Sequence, residues 1–366
     1  MTQAQGLLFE SFQLGAMTLR NRMVMAPLTR NRAGAGLAPT ELAVDYYAQR
    51  ATAGLIIAEA TQIRPDGQGY INTPGIYSEA QVAAWKNVTD AVHAKGGRIV
   101  LQLWHVGRIS HVSLQENGQR PVAPSAIQAK AQTFVAEGMV DVSEPRALEL
   151  DEIPTLIEDY RKSALNAVRA GFDAVEVHAA NGYLLDEFLR DGANQRTDAY
   201  GGSIENRARL LLEVMQACCD AIGADKVGVR LSPVSPFNDL KDSHPQPLFN
   251  YVVEALNTLS PLYIHVIEGA TGGDRKVDPT FDFRALRDRF HGVYMANNGY
   301  DKASAEAALK DDAADLVAFG RPFIANPDLV RRYALDAPLN ELNPATLYGG
   351  GAEGYTDYPA LDEQGA

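Results

Sequence analysis

Cysteine is nearly missing from this chain: of 366 residues only Cys218 and Cys219 carry a thiol, side by side. Adjacent cysteines in a helical pattern give neither a disulfide framework nor a ligand spacing, and they read as small buried residues. H-E-x-x-H and C-x-x-C are absent, so no metal centre is expected, and without G-x-S-x-G there is no serine-hydrolase elbow. No apolar run approaches the ~20 residues that span a bilayer. The opening MTQAQGLLFESFQLG has no basic start followed by a long apolar stretch. Membrane association is therefore not expected, and the cytoplasm is the expected location. Positive charge is in deficit: 33 Lys and Arg stand against 46 Asp and Glu, a net charge of −13. Such a surface repels phosphate backbones, which argues against nucleic acid, while acidic balance alone names no partner.

What is present is an alternation. Short apolar or β-branched runs recur as MVMAPL (23–28), LIIAEA (55–60), RIVLQLW (98–104), AVEVHA (174–179), KVGVRLS (226–232), YIHVIE (263–268), VYMANN (293–298) and LVAFG (316–320). Apolar runs of this length fit strands covered on both faces, as in parallel sheets. Helical patterns follow each: 40–53, 78–97, 151–172, 205–223, 247–259, 280–289, 302–310 and 326–335. Ser78 and Gln81 have capping-box spacing, and Gly171 closes the third helix. The pattern predicts an α/β fold, a (β/α)8 TIM barrel in a single domain over 1–366. An open doubly wound sheet is the alternative, but the first strand runs into APLTR without a G-x-G-x-x-G. Residues 8–22 are expected to form an N-terminal hairpin under the barrel. Residues 107–146 form a long insertion after strand 3, of a length usually tied to function. Residues 359–366 are expected to be a disordered tail.

Barrel active sites sit where the strands end. In chain order those ends deliver Pro27 and Thr29; Glu59, Ala60 and Thr61; Gln102, Trp104 and His105; His178, Asn181 and Tyr183; Arg230; His265 and Glu268; Asn297, Asn298 and Gly299; Gly320 and Arg321. NNGY and FGRP fall after strands seven and eight, where barrels bind phosphate through loop N–H groups and a short helix. A lone Gly-Arg would be a turn with a surface charge; the two loops together point to a phosphate-bearing ligand. Arg230 lies inside an apolar strand and needs an anion or several acceptors. A salt bridge to Glu59 or Glu176 is one answer, a ligand another. Gln102 reads equally as a satisfied core amide or as a partner for a heteroaromatic edge. His178, Asn181 and Tyr183, within six residues, make a surface able to hold and protonate a substrate.

These blocks resemble the old yellow enzymes, flavin-dependent ene-reductases, and within them the bacterial N-ethylmaleimide and pentaerythritol tetranitrate reductases. The resemblance runs from FESFQLG to GAEGYTDYP. It is densest in HAANGYLLDEFLRDGANQRTDAYGGSIENRARLLLEV (178–214), with APLTR, EATQI, QLWHVGR and AFGRPFIANPDL also matching. It implies a tightly held, noncovalent FMN at the barrel mouth and NADPH or NADH as hydride donor, used in a ping-pong cycle. Carried over residue by residue, Thr29 would bond the flavin near its C4 carbonyl, with Pro27 and Ala60 lining the ring. Gln102 would meet the pyrimidine edge, and Arg230 would face N1 and the C2 carbonyl. Asn298, Gly299, Gly320 and Arg321 would hold the phosphate. His178 and Asn181 would donate to a carbonyl or nitro oxygen of an electron-poor alkene (an enone, maleimide or nitroalkene). Hydride would go to its β-carbon, and Tyr183 would protonate the α-carbon. Tyr70, Trp104 and Tyr355 would wall the pocket. After strand six the chain reads EGATGG, where relatives often place an aromatic residue, which implies a roomier site. Reduction of nitrate esters or nitroaromatics on the same scaffold is the alternative activity, and a flavin-binding protein without turnover or a barrel lyase or isomerase are the alternative classes. Relatives occur as monomers and homodimers.

Overall fold

A computed structural model describes residues 6–361. Eight parallel strands close into a barrel: β1 (Met23–Met25), β2 (Leu55–Gln62), β3 (Ile99–Trp104), β4 (Ala174–Ala179), β5 (Val227–Leu231), β6 (Tyr263–Ile267), β7 (Val293–Asn297) and β8 (Leu316–Phe319). Each strand pairs with the next, and β8 pairs with β1. The fold is the predicted α/β barrel. Nearly every strand residue is buried because one face meets the barrel interior and the other the helices.

The outer ring comprises α1 (Glu41–Gln49), α2 (Glu79–Ala94), α3 (Ile153–Arg169), α4 (Ile204–Ile222), α5 (Pro245–Leu256), α6 (Phe283–Arg289), α7 (Lys302–Lys310) and α8 (Leu329–Ala334). The capping box of α2 is formed: Ser78 Oγ accepts from the Gln81 N–H, and Gln81 Oε1 accepts from the Ser78 N–H. Two short helices, Leu184–Leu189 and Arg321–Ala325, sit directly after β4 and β8.

The antiparallel strands Phe12–Leu14 and Met17–Leu19 form the N-terminal hairpin. Its Leu14, Met17 and Leu19 share one apolar cluster with Val24, Leu55, Ile57, Val100, Tyr263 and Leu316, so the hairpin seals the lower end of the interior. The opposite end carries the segment after β3. It holds a second antiparallel pair, Gln132–Val135 with Gly138–Asp141, and a short parallel pair of Val122–Ala123 with Arg146–Ala147. This segment is tied down by buried Arg108, whose guanidinium donates to the carbonyls of Ile127 (3.2 Å) and Asp239 (3.0 Å). Pro359 and Leu361 are also held: the Pro359 carbonyl accepts from Arg332, and the Leu361 N–H donates to Asp328. Residues 362–366 of the expected tail lie outside the described residues. No helix among the described residues is long and apolar enough to cross a membrane.

Candidate active site

Above the apolar floor the barrel interior turns polar. His178 on β4, Arg230 on β5, His265 on β6 and Met295 on β7 are register partners, a row of side chains across four strands. One residue pair below, Glu176 lies opposite Gln102. The Glu176 carboxylate accepts from Gln102 Nε2 at 2.7 Å and meets His265 Nδ1 at 2.9 Å. Burial pushes this carboxyl up, but His265, Arg230 and Gln102 more than offset that and hold it below its ordinary value. Gln102 thereby has its amide direction fixed. Its N–H side is spent on Glu176, and its carbonyl oxygen makes no hydrogen bond among the described residues.

Arg230 has no carboxylate within ion-pair distance among the described residues. It donates once, to Asn297 Oδ1 at 2.8 Å, and its Nε is buried without a partner. Glu59 points elsewhere. A bulge in β2 between Ala58 and Thr61 accompanies its turn toward the Arg30 N–H and the Tyr47 hydroxyl, both of which donate to its carboxylate. The salt-bridge account of Arg230 therefore fails at Glu59, and Glu176 acts on it only through space. Burial lowers the guanidinium from its usual value, yet a guanidinium keeps its charge. A buried cation with an unused donor needs an anion or a carbonyl edge.

The same bulge carries Ala60 into a small cluster with Trp104, Val106, Ile109, Ala129 and Tyr183. Trp104 is the hub. Tyr70 stacks beside it at 5.9 Å, His178 lies nearly parallel at 6.3 Å, and Tyr183 meets it edge-on at 4.9 Å. Tyr183 also meets His178 edge-on at 5.2 Å, and its hydroxyl is 3.0 Å from that of Tyr70. Burial pushes the Tyr183 phenol up to about 12, with the hydrogen bonds of Tyr70 and Asn238 pulling the other way. It stays protonated at neutral pH. His178 is driven well below the ordinary imidazole value by burial and then by the charge of Arg230, so it is neutral. Its Nδ1 is sealed without a partner, which leaves Nε2 as the nitrogen toward the mouth.

Asn181 and Gly182 take consecutive left-handed conformations, φ 61° and 72°, in the turn after β4. Asn tolerates this region, and Gly182 has a second reason: a Cβ there would meet the Phe237 carbonyl at 2.7 Å. The Asn181 backbone is pinned on both sides. Its N–H donates to Ser232 Oγ (2.8 Å), and its carbonyl accepts from Asn238 Nδ2 (2.8 Å).

At the other end of the mouth, the backbone N–H groups of Gly299, Gly320 and Arg321 make no hydrogen bond among the described residues. The Arg321 guanidinium makes no ion pair or hydrogen bond there either, and lies close over Gly272. Gly299 has φ +67° and is exposed. Asn298, expected at the phosphate, has its side chain engaged elsewhere. Its side-chain amide is spent on the loop after β6, donating to the Glu268 and Ala270 carbonyls and accepting from the Gly272 N–H. Only its backbone remains for a phosphate. Thr29 is half-buried with an uncommitted hydroxyl, and Pro27 beside it is buried.

Tyr355 stands apart from the other expected pocket residues. It is fully buried and stacked on Tyr46 at 4.2 Å, with the Arg30 and Arg32 guanidinia over its ring. Those arginines and Arg50 grip the carbonyls of the C-terminal segment, which fixes its course. Sequence reasoning missed Thr271, Ser235 and Asn238 near Asn181. The EGATGG loop, expected to leave a roomier site, carries Thr271, whose hydroxyl reaches Asn181. Small polar residues clustered after strand ends were the only signal. No group of three or more metal-ligating side chains occurs among the described residues.

The set fits FMN: an unspent guanidinium and an amide oxygen inside, free N–H groups and a second guanidinium outside, and aromatic walls between. Comparison with known proteins agrees. Residues 7–340 match the NADH:flavin oxidoreductase / NADH oxidase family. The chain is 48% identical over 362 residues to 12-oxophytodienoate reductase 1 of Oryza sativa subsp. japonica, covering 97% of this chain and 93% of that one. Against the solved structure of morphinone reductase the TM-score is 0.94 at 50% identity, covering 100% of this chain and 99% of the other. The old yellow enzyme homologue from Zymomonas mobilis gives 0.94 at 46% identity, covering 97% and 99%. Morphinone reductase has also been solved in complex with tetrahydroNAD, and that structure superposes with a TM-score of 0.93 at 49% identity, covering 99% of each chain.

Proposed function

The chain belongs to the NADH:flavin oxidoreductase / NADH oxidase family, the FMN-dependent old yellow enzymes, and from that premise we propose that it reduces electron-poor C=C bonds conjugated to a carbonyl or nitro group. Bound FMN supplies the hydride, taken from NADPH or NADH and passed on to the β-carbon of the alkene. The rest is the work of this chain's side chains.

Arg230 and Gln102 would hold the pyrimidine edge, the first as cation and donor, the second through its carbonyl oxygen. Thr29, Pro27 and Ala60 would border the ring. Gly299, Gly320 and Arg321, with the Asn298 backbone, would hold the phosphate. His178, neutral, would donate through Nε2–H to the substrate oxygen, and Asn181 through its side-chain N–H. Two neutral donors aimed at one oxygen stabilise the charge that develops there without a full charge in the free site. Tyr183 would give its hydroxyl proton to the α-carbon. Trp104 and Tyr70 would flank the substrate; Tyr355 would support the wall from behind Arg30 and Arg32.

The observation that carries this reading is the convergence of an uncommitted imidazole nitrogen and a protonated phenol around Trp104, with the unpartnered NH2 group of Asn181 in the turn that joins them. The relatives point the same way, being named as reductases of 12-oxophytodienoate and of morphinone. The reading includes a cytoplasmic protein, monomer or homodimer, in one domain whose insertion at 107–146 borders the substrate. The test is anaerobic turnover. Holoenzyme reduced with one equivalent of NADPH or NADH should be reoxidised by 2-cyclohexenone, giving cyclohexanone that carries one deuterium at the α-carbon in heavy water. Reoxidation by nitrate esters without any saturated ketone from the enone would overturn it in favour of nitro-group reduction.

A further inference from the structure

Asn181 is useful as a donor only if its amide faces the right way. The two ends of a side-chain amide are nearly equal in size, so packing alone does not choose between them. A carbonyl end turned toward a substrate oxygen would set two acceptors against each other. Something must fix the choice, and the wall of the site contains a candidate.

The Thr271 hydroxyl, from the loop after β6, lies 2.7 Å from Asn181 Oδ1. An amide oxygen carries no proton, so Thr271 must be the donor. Its single proton is then committed. Thr271 Oγ1 also lies 2.8 Å from Ser235 Oγ, in the loop after β5, and that contact can only be completed by the Ser235 proton. Ser235 Oγ in turn accepts from the Thr271 N–H at 3.1 Å and the Phe237 N–H at 3.4 Å. The chain has one direction: Ser235 hydroxyl to Thr271 hydroxyl to Asn181 oxygen. What remains of Asn181 is the NH2 group, which has no partner among the described residues and is not sealed from the mouth.

The loop that presents Thr271 is itself held. Asn298, after β7, binds Glu268, Ala270 and Gly272 of that loop through its side chain. Four successive strand ends, β4 to β7, are thus joined by side-chain bonds that terminate at one amide.

We infer that Thr271 is a positioning residue for the reaction: its hydroxyl sets the orientation of the Asn181 amide so that Nδ2 donates to the oxygen of the substrate. The inference rests on the alkene-reductase reading above.

The experiment uses holoenzyme and three variants, Thr271→Val, Thr271→Ser and Asn181→Ala, with the double variant T271V/N181A. Valine matches threonine in shape and lacks the donor; serine restores it. With 2-cyclohexenone, T271V should lower kcat/KM about tenfold, equivalent to about 1.4 kcal/mol, while T271S stays within about twofold of the parent. In the Asn181→Ala background the valine substitution should cost nothing further. Equal losses in T271V and T271S, or a full additional loss in the double variant, would overturn the inference. A second readout is independent of turnover. The side-chain amide signal of Asn181 in a 1H–15N spectrum, assigned by its disappearance in N181A, should move in T271V and stay in T271S. An unmoved signal in T271V overturns the positioning role even if the enone is reduced. A moved signal in a protein that does not reduce the enone leaves the hydrogen bond in place and sinks the alkene-reductase reading instead.

Discussion

Replacing Tyr183 by phenylalanine separates packing from chemistry. The ring of Tyr183 is held edge-on by Trp104 at 4.9 Å and by His178 at 5.2 Å, and phenylalanine keeps both contacts. The hydroxyl bonds the Tyr70 hydroxyl at 3.0 Å, with the Asn238 amide as a weaker second partner. Tyr70 is half-buried, so water can take over that bond. The stability cost is then that of one neutral hydrogen bond, about 1 kcal/mol. The rate should change far more. A positioned general acid contributes about 10²–10⁴-fold, equivalent to about 3–5 kcal/mol of barrier. That loss belongs to one half-reaction only. Hydride transfer from the nicotinamide needs no proton at carbon, so flavin reduction in the variant should stay within about twofold of the parent.

The assay is stopped-flow absorbance of the flavin, anaerobic, with each half-reaction measured alone. The pH dependence supplies a check on the same residue. Burial pushes the phenol up to about 12, so it remains the acid form from pH 6 to 10, and the enone half-reaction should show no loss in that range from this group. His178, lowered well below the usual imidazole value, is already neutral there and should add no step near pH 6.5. If Tyr183→Phe reoxidises with cyclohexenone within about threefold of the parent, far short of the general-acid range, solvent rather than this phenol delivers the proton and the assignment is wrong.

Arg230→Met removes the buried cation and its lone bond to Asn297; purified variant should retain less than a tenth of the FMN of the parent by absorbance, and full flavin content would show that the guanidinium does not hold the ring. Tyr70→Phe deletes the hydroxyl that supports Tyr183, and should slow the enone half-reaction about threefold to tenfold; an equal further loss in the Tyr183→Phe background would argue against coupling between the two phenols. Glu187 is fully buried and burial raises its carboxyl from 4.5 to about 8, so the folded chain holds a proton there that the unfolded chain releases. Stability from this group is therefore present at acid pH and falls as pH climbs from 4.5 toward 8. Glu187→Gln should melt higher than the parent at pH 9 and not at pH 5; parallel melting curves across that range would contradict the buried proton.

The barrel was readable because a parallel sheet covered on both faces leaves runs such as LIIAEA and AVEVHA, and because Ser78–Gln81 and Gly171 mark helix ends by local chemistry. The proposed catalytic trio was readable for a related reason: His178 lies at the end of β4, and Asn181 and Tyr183 follow it, where the exit is set by those same runs. The bonds beneath were not. Whether Gln102 meets Glu176 depends on the pairing of β3 with β4, and whether Glu59 faces Arg230 depends on one extra residue in β2, a bulge that the hydrophobic pattern does not encode. Tyr355 illustrates the limit most clearly. Its place is decided by Arg30, Arg32 and Arg50, more than 300 residues away in sequence, whose guanidinia fasten on carbonyls of the C-terminal segment. A carbonyl has no residue identity, so such a clamp leaves no motif at its receiving end. The Thr271–Asn181 contact sits between these extremes. Both residue types were visible at strand ends, but the direction of the proton follows only when the second partner of Thr271, Ser235, is in view. Residue identity at strand ends thus tells what chemistry is available, and the orientation of each donor has to come from how neighbouring loops close on one another.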